Sequence, residues 1–253
     1  MKIGAQLYTV REFTKTIDGI RQTFEKVRKI GYQAVQVSGF GQVDPKEVAK
    51  VVADSGLAVA CTHMAWSRFK GELDAVIAEH KMWNCKHPAI GGLFDKEYAG
   101  ADGLKKFLDE LPPVAHKLAA EGMDFSYHNH SHEMARIGTK TWLQELYDQA
   151  SPHDLKAEID VYWIAHGGGD PAAWLDMCAG RMPVIHFKDM VIVDKEQRMA
   201  EVGEGNLNWP RIIEAARKGG VEYALVEQDN CYGKDPFECL ATSYRNLRAM
   251  GLS

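Results

Sequence analysis

Asp160, His186 and Glu227 are the residues whose types and positions could do chemistry. Each closes a short run of strand character: residues 155–160 (LKAEID), 183–186 (PVIH) and 224–227 (ALVE). A carboxylate or imidazole at the end of a buried strand is poorly solvated and needs a partner. A divalent cation would pair with all three at once. The alternative is that the three are buried polar residues that satisfy one another. A fourth run, residues 124–130 (DFSYHNH), ends in histidines. Two carboxylates with one or two imidazoles make a mixed oxygen and nitrogen donor set suited to Mn²⁺, Zn²⁺, Co²⁺ or Mg²⁺. No cysteine stands at these strand ends, which argues against a closed structural zinc site.

The elements that must position these residues alternate along the whole chain. Strand-type runs cover residues 2–7, 34–37, 58–62, 87–90, 124–128, 155–161, 184–187 and 223–227. Helical patterns fall between them. Ile20, Phe24 and Val27 share one face, with Gly31 as the stop. Asp44-Pro45 and Asp170-Pro171 read as N-caps followed by proline in the first turn. Further helices are expected at 73–82, 104–120, 142–150, near Asn208-Trp209-Pro210, and at 236–250. Eight such units without a linker predict an α/β fold, a closed (β/α)8 TIM barrel forming one domain over 1–253. An open dinucleotide-binding sheet would carry a glycine-rich turn after the first strand, and Tyr8-Thr9-Val10-Arg11 stands there instead.

In such a barrel the strand C-termini share one face, where active sites are built. That rule places His128, from the fifth strand, beside Asp160, His186 and Glu227. The stretch His128-Asn129-His130-Ser131-His132-Glu133 is the densest polar group in the chain. On extended backbone residues 128, 130 and 132 share a face; if the strand stops at 128 they fan into a loop over the site. We expect His128 as the fourth metal ligand, with Glu158 as the rival, and His130 as a proton-transfer group. Glu158 lies two residues before Asp160 and would point the same way, one layer deeper in the barrel. It is a candidate substrate contact, or else a buried charge paired with Lys156 or Lys188. Lys188 is a candidate catalytic group that stabilises a developing oxyanion. His63 could contact substrate, and Trp163 and Trp66 could wall a sugar-sized pocket or belong to the core. Gly167-Gly168-Gly169 could hold a phosphate or simply feed the next helix. His80, His87, His116 and His153 receive no function.

The chain has 253 residues with a formal net charge of -5, and no Lys/Arg run. Nucleic acid and anionic membranes are therefore not expected as partners. No apolar segment approaches the roughly 20 residues of a membrane helix. The N-terminal stretch has no secretory character, and the five cysteines are scattered without a C-x-x-C pair, so reduced thiols in a cytoplasmic protein are expected. A homo-oligomer is compatible with the exposed helices of a barrel.

At these residues the chain resembles the xylose isomerase-like barrels. The resemblance rests on Glu-Ile-Asp-Val-Tyr-Trp (158–163), Ile-His-Phe-Lys-Asp (185–189), Glu-Val-Gly-Glu-Gly (201–205) and Val-Glu-Gln-Asp (226–229), in that order. The stretch 127–133 is similar to a sugar isomerase/epimerase branch. The resemblance implies Asp160, His186 and Glu227 as metal ligands. Its usual fourth ligand, a glutamate ending strand five, is replaced by His128, which disturbs the two-glutamate arrangement of the ketose 3-epimerases. Arg198-Met199-Ala200-Glu201 lacks the Asp-x-His pair of endonuclease IV, so a three-zinc nuclease is not expected. The leading expectation is a metal-dependent isomerase or epimerase of a keto-sugar or sugar derivative, acting through an enediolate, with Glu227 or a histidine as base. The alternatives are a metal-dependent lyase or dehydratase on a keto-sugar, keto-glycoside or inosose, and a non-catalytic sugar-binding barrel.

Overall fold

The computed structural model describes residues 1–252. Eight parallel strands form the barrel: β1 (Lys2–Gln6), β2 (Ala34–Val37), β3 (Ala58–Met64), β4 (Pro88–Ile90), β5 (Ser126–His128), β6 (Lys156–Glu158), β7 (Val184–Phe187) and β8 (Tyr223–Val226). Hydrogen bonding runs β6-β5-β4-β3-β2-β1-β8-β7. The remaining seam, between β6 and β7, is closed by a single bridge from Asp160 to His186. The His186 N–H donates to Ile159 O across it at 2.9 Å. Two of the candidate donors therefore sit on the seam itself.

Local chemistry explains most of the helices between the strands. Asp44, Asp170 and Asp235 each cap a helix that opens on proline, accepting from the backbone N–H of Lys46, Ala172 and Phe237. The cap oxygen satisfies a donor that the first helical turn leaves free, and proline has no N–H there to lose. The helix Ile17–Ile30 is capped by Thr16, buries Ile20, Phe24 and Val27, and ends at Gly31 with φ of 120°. Burying each such large apolar side chain is worth roughly 1.5–3 kcal/mol. At the opposite end from the site, the buried Arg181 guanidinium donates to Tyr147 O, Ala150 O and Leu155 O.

Several boundaries differ from the sequence expectation. The sixth strand is shorter than 155–161, because Asp160 turns the chain into the helix Val161–His166. The fifth begins at Ser126, and the helix expected at 104–120 begins at Gly100. Two hairpins were not anticipated: Arg136–Ile137 with Lys140–Thr141, and Asp189–Val193 with Glu196–Ala200. The second turns on Asp194 and Lys195, with φ of 52° and 68°. That two-residue geometry usually carries glycine or asparagine, so its signal is absent from the sequence. Among the described residues, no helix is long and apolar enough to cross a membrane.

Candidate metal centre and active site

One donor atom from each of His128, Asp160, His186 and Glu227 lies within 4.8 Å of the others, and all four side chains are buried. His186 Nδ1 is 3.0 Å from Glu227 Oε2 and 3.8 Å from Asp160 Oδ2. His128 Nε2 is 3.4 Å from the same Asp160 oxygen. Asp160 divides its carboxylate between two tasks. Oδ1 accepts from the Tyr162 and Trp163 N–H groups at 2.9 and 3.1 Å, capping the helix that follows. Oδ2 is left to the cluster. The Asp160 N–H is itself held by Asn129 Oδ1 at 3.0 Å.

Beneath this group lies a second polar layer. His186 Nε2 points away from the cluster, 2.6 Å from Gln36 Oε1 and 2.9 Å from Glu158 Oε1. Glu158 also accepts from Gln36 Nε2 at 2.8 Å and from His63 Nε2 at 3.2 Å. Imidazole ligands commonly give their second N–H to a carboxylate, which fixes the tautomer and the ring. Here that leaves Nδ1 as the nitrogen facing the donor group. Glu158 is thus one layer down, fully buried, with His63, His186 and Gln36 as partners rather than Lys156 or Lys188. It stands outside the four-donor group and is not on the cavity wall. Gln36 was not singled out from the sequence. Its signal was a glutamine within Ala-Val-Gln-Val, a strand buried at every position.

The Lys188 ammonium is fully buried. It stands 2.8 Å from Glu227 Oε2, 3.1 Å from Asp160 Oδ2 and 2.7 Å from Asp229 Oδ2. Asp229 lies within the 226–229 motif, but sequence reasoning gave it no role. The Lys188 ammonium also lies 5.2 Å from the centre of the Trp163 ring.

Burial alone would raise the Asp160 and Glu227 carboxyls, but the Lys188 charge and the imidazoles outweigh it and hold both below the usual range. Burial likewise opposes a charged His186, yet Glu158 and Glu227 push it up to about 10. Burial and the neighbouring His186 charge push His128 down to about 4. Burial and His128 push His130 down to about 2.

Above the donor group opens a cavity of about 420 Å³, bordered by His63, Trp66, Phe94, His130, Glu227 and Asp229 among others. A volume of this size suits a small sugar-like molecule. The backbone leaves β5 at His128, so the histidines fan out. His130 reaches the cavity wall with Nδ1 unpartnered. His132 turns aside and donates to Leu93 O at 3.1 Å. Glu133 is buried and holds the loop, accepting from Tyr127 Oη and from the His130 N–H, both at 2.8 Å. Trp163 packs against His130 at 5.1 Å between ring centres but is not on the wall, whereas Trp66 is. Asp189 anchors the neighbouring loop by accepting from the Gly203, Gly205 and Leu207 N–H groups and the Trp209 indole.

Two carboxylates and two imidazoles converging in a buried floor fit a divalent cation. Direct ligation needs roughly 2.0–2.3 Å per bond, and the spacings of 3.0, 3.4 and 3.8 Å between neighbouring donors suit one shared centre at that reach.

The sequence profile of the xylose isomerase-like TIM barrel family matches residues 24–236. The chain belongs to that family, and the parallel eight-stranded barrel is its fold. Among solved structures, a sugar phosphate isomerase/epimerase from Parabacteroides distasonis is similar, with 22% identity and a TM-score of 0.80 over 99% of this chain and 94% of that one. An L-ribulose 3-epimerase is similar at 17% identity and a TM-score of 0.76, over 99% of this chain and 94% of that one. A probable 3-DHS dehydratase from Bacillus anthracis aligns at 13% identity and a TM-score of 0.72, over 98% and 99%. No curated protein sequence matches the chain.

Proposed function

We propose that this protein is a metal-dependent isomerase or epimerase of a keto-sugar or a related sugar derivative. The observation that carries this reading is the convergence of His128, Asp160, His186 and Glu227 on the floor of a sugar-sized cavity. These four side chains would hold a divalent ion, Mn²⁺, Zn²⁺, Co²⁺ or Mg²⁺. Bound there, such an ion supplies a Lewis acid that steadies negative charge as it develops on a substrate carbonyl oxygen.

The chain's own residues do the rest. Glu158 and Gln36 hold His186 in one tautomer. Lys188 supplies a positively charged hydrogen-bond donor at the site, in contact with Glu227, Asp160 and Asp229. Either His130 or Glu227 takes the proton α to the carbonyl. His130 borders the cavity, is kept neutral by burial and by the neighbouring His128, and has a buried Nδ1 without a hydrogen-bond partner. Glu227 is on the same wall, but its Oε2 is already engaged by His186 and Lys188. This engagement favours Glu227 as a ligand and leaves His130, at the cavity border, as the proton carrier in this reading. His63 and Trp66 border the substrate space. A cytoplasmic location and a single domain spanning 1–253 remain part of this reading.

A lyase would share the same first step and then expel a β-hydroxyl. The similarity in fold to a probable dehydratase keeps that as the second reading. The test is a set of keto-sugars incubated with metal-loaded protein in D₂O. Deuterium at the α-carbon for epimerisation, or at the former carbonyl carbon for isomerisation, in a product that has lost no water supports this reading, whereas loss of water supports the lyase. His130→Ala and Glu227→Gln should each lower turnover by at least about 10²-fold. Full activity of metal-stripped protein would overturn the proposal.

A further inference from the structure

The Lys188 ammonium touches the same oxygens that the donor group presents to its imidazoles. Glu227 Oε2 is 3.0 Å from His186 Nδ1 and 2.8 Å from Lys188 Nζ. Asp160 Oδ2 is 3.4 Å from His128 Nε2 and 3.1 Å from Lys188 Nζ. Asp160 cannot offer its other oxygen freely, because Oδ1 caps the helix Val161–His166. A cation bound between these donors and an ammonium in contact with both oxygens would repel each other at a few ångströms, in a region with little water to screen them.

Lys188 has a third partner. Asp229 Oδ2 is 2.7 Å from Nζ, and the Asp229 side chain is 25% exposed while those of Asp160 and Lys188 are fully buried. Asp229 also borders the cavity. The lysine stem is long and rotatable, so the ammonium can give up its two inner contacts and keep the outer one.

We propose that Lys188 is an internal competitor for the candidate metal site, and that Asp229 is the place to which its ammonium withdraws when a divalent cation binds. This rests on the metal reading given under the proposed function and extends it. Cation binding is then coupled to movement of a positive hydrogen-bond donor from the floor to the wall of the cavity, where it faces substrate oxygens. Affinity for the cation is set by this exchange as well as by the four ligands. Asp229 is a positioning residue in this scheme: it acts through Lys188.

Binding of Mn²⁺ to chelator-stripped protein tests the scheme by titration calorimetry, without reference to activity. Lys188→Met removes the competitor, and Mn²⁺ should bind at least about tenfold more tightly. Asp229→Asn removes the place of withdrawal, and Mn²⁺ should bind several-fold more weakly. In the double variant the Asp229→Asn loss should shrink to less than about twofold, because the exchange it acts through is gone. Circular dichroism checks that each variant is folded. If Lys188→Met does not fold without metal, Asp229→Asn, at a partly exposed position, decides the matter alone. Unchanged or weaker Mn²⁺ binding in folded Lys188→Met, or unchanged binding in Asp229→Asn, overturns the proposal while leaving the metal reading intact. Failure of the wild-type protein to bind Mn²⁺, Zn²⁺, Co²⁺ or Mg²⁺ overturns both.

Discussion

Glu158→Gln probes the layer beneath the candidate metal centre. The substitution keeps shape but removes a fully buried negative charge that accepts from His63, His186 and Gln36 at 3.2, 2.9 and 2.8 Å. A glutamine has one acceptor oxygen where the carboxylate has two, and its amide N–H₂ must face one of the three donors. At least one charge-assisted hydrogen bond is lost, worth about 1.5–3 kcal/mol, and one buried donor is left without a partner at about 1–3 kcal/mol. Partial relaxation makes about 2–4 kcal/mol a reasonable total. For a chain of this size that corresponds to a fall in Tm of about 5–15 °C. The same change frees the His186 ring and its tautomer, and loss of such a support lowers metal affinity by about 10–100-fold. Thermal melts followed by circular dichroism and Mn²⁺ titration of the folded variant read the two effects separately. A Tm within about 2 °C of wild type together with unchanged Mn²⁺ affinity would refute the reasoning that Glu158 positions His186.

Gly205→Ala should destabilise the loop that Asp189 anchors. A Cβ there would lie 2.4 Å from both Asp189 Oδ1 and Met190 O. The cost should be about 1–3 kcal/mol, seen as a lower midpoint in urea unfolding. Burial would raise the Glu110 carboxyl, but hydrogen bonds from Lys106, Tyr98, Trp66 and Lys70 hold it down at about 2. Its contribution is present above its unfolded value of about 4.3 and is lost as pH falls from there towards 2. Glu110→Gln should therefore be less stable by about 1–2 kcal/mol at pH 7, after allowance for solvent screening, with the gap to wild type narrowing below about pH 4. Urea midpoints at pH 7 and pH 3 check this, and an equal gap at both would contradict it. Chelation should lower the Tm of metal-loaded protein, and metal restored at about 100 times its Kd should return about 2.7 kcal/mol. A melting curve indifferent to EDTA would contradict it.

The alternation of strands and helices was legible because its causes are local. Asp-Pro caps, the Ile20, Phe24 and Val27 stripe, and short apolar runs each declare themselves within a few residues. So do the identities of Asp160, His186 and Glu227, since polar residues closing apolar strands are visible in one dimension. The hairpin at Asp194-Lys195 was not, because its left-handed turn carries no glycine.

What tertiary structure alone decided is which residue completes the donor group and what the layer beneath it holds. Glu158 and Asp160 are two residues apart and have the same side-chain chemistry. A strand of that length spans about 6.6 Å, enough to put one in the donor group and the other beneath it. Asp160 rises into the donor group because it leaves the strand to cap a helix. His128 joins it because β5 stops there. The contacts of Gln36 with His186 and of Asp229 with Lys188 join residues far apart in the chain. Such contacts depend on barrel register and closure, which no local pattern encodes. The sequence names the candidate donors; the closed sheet decides which of them can face one another.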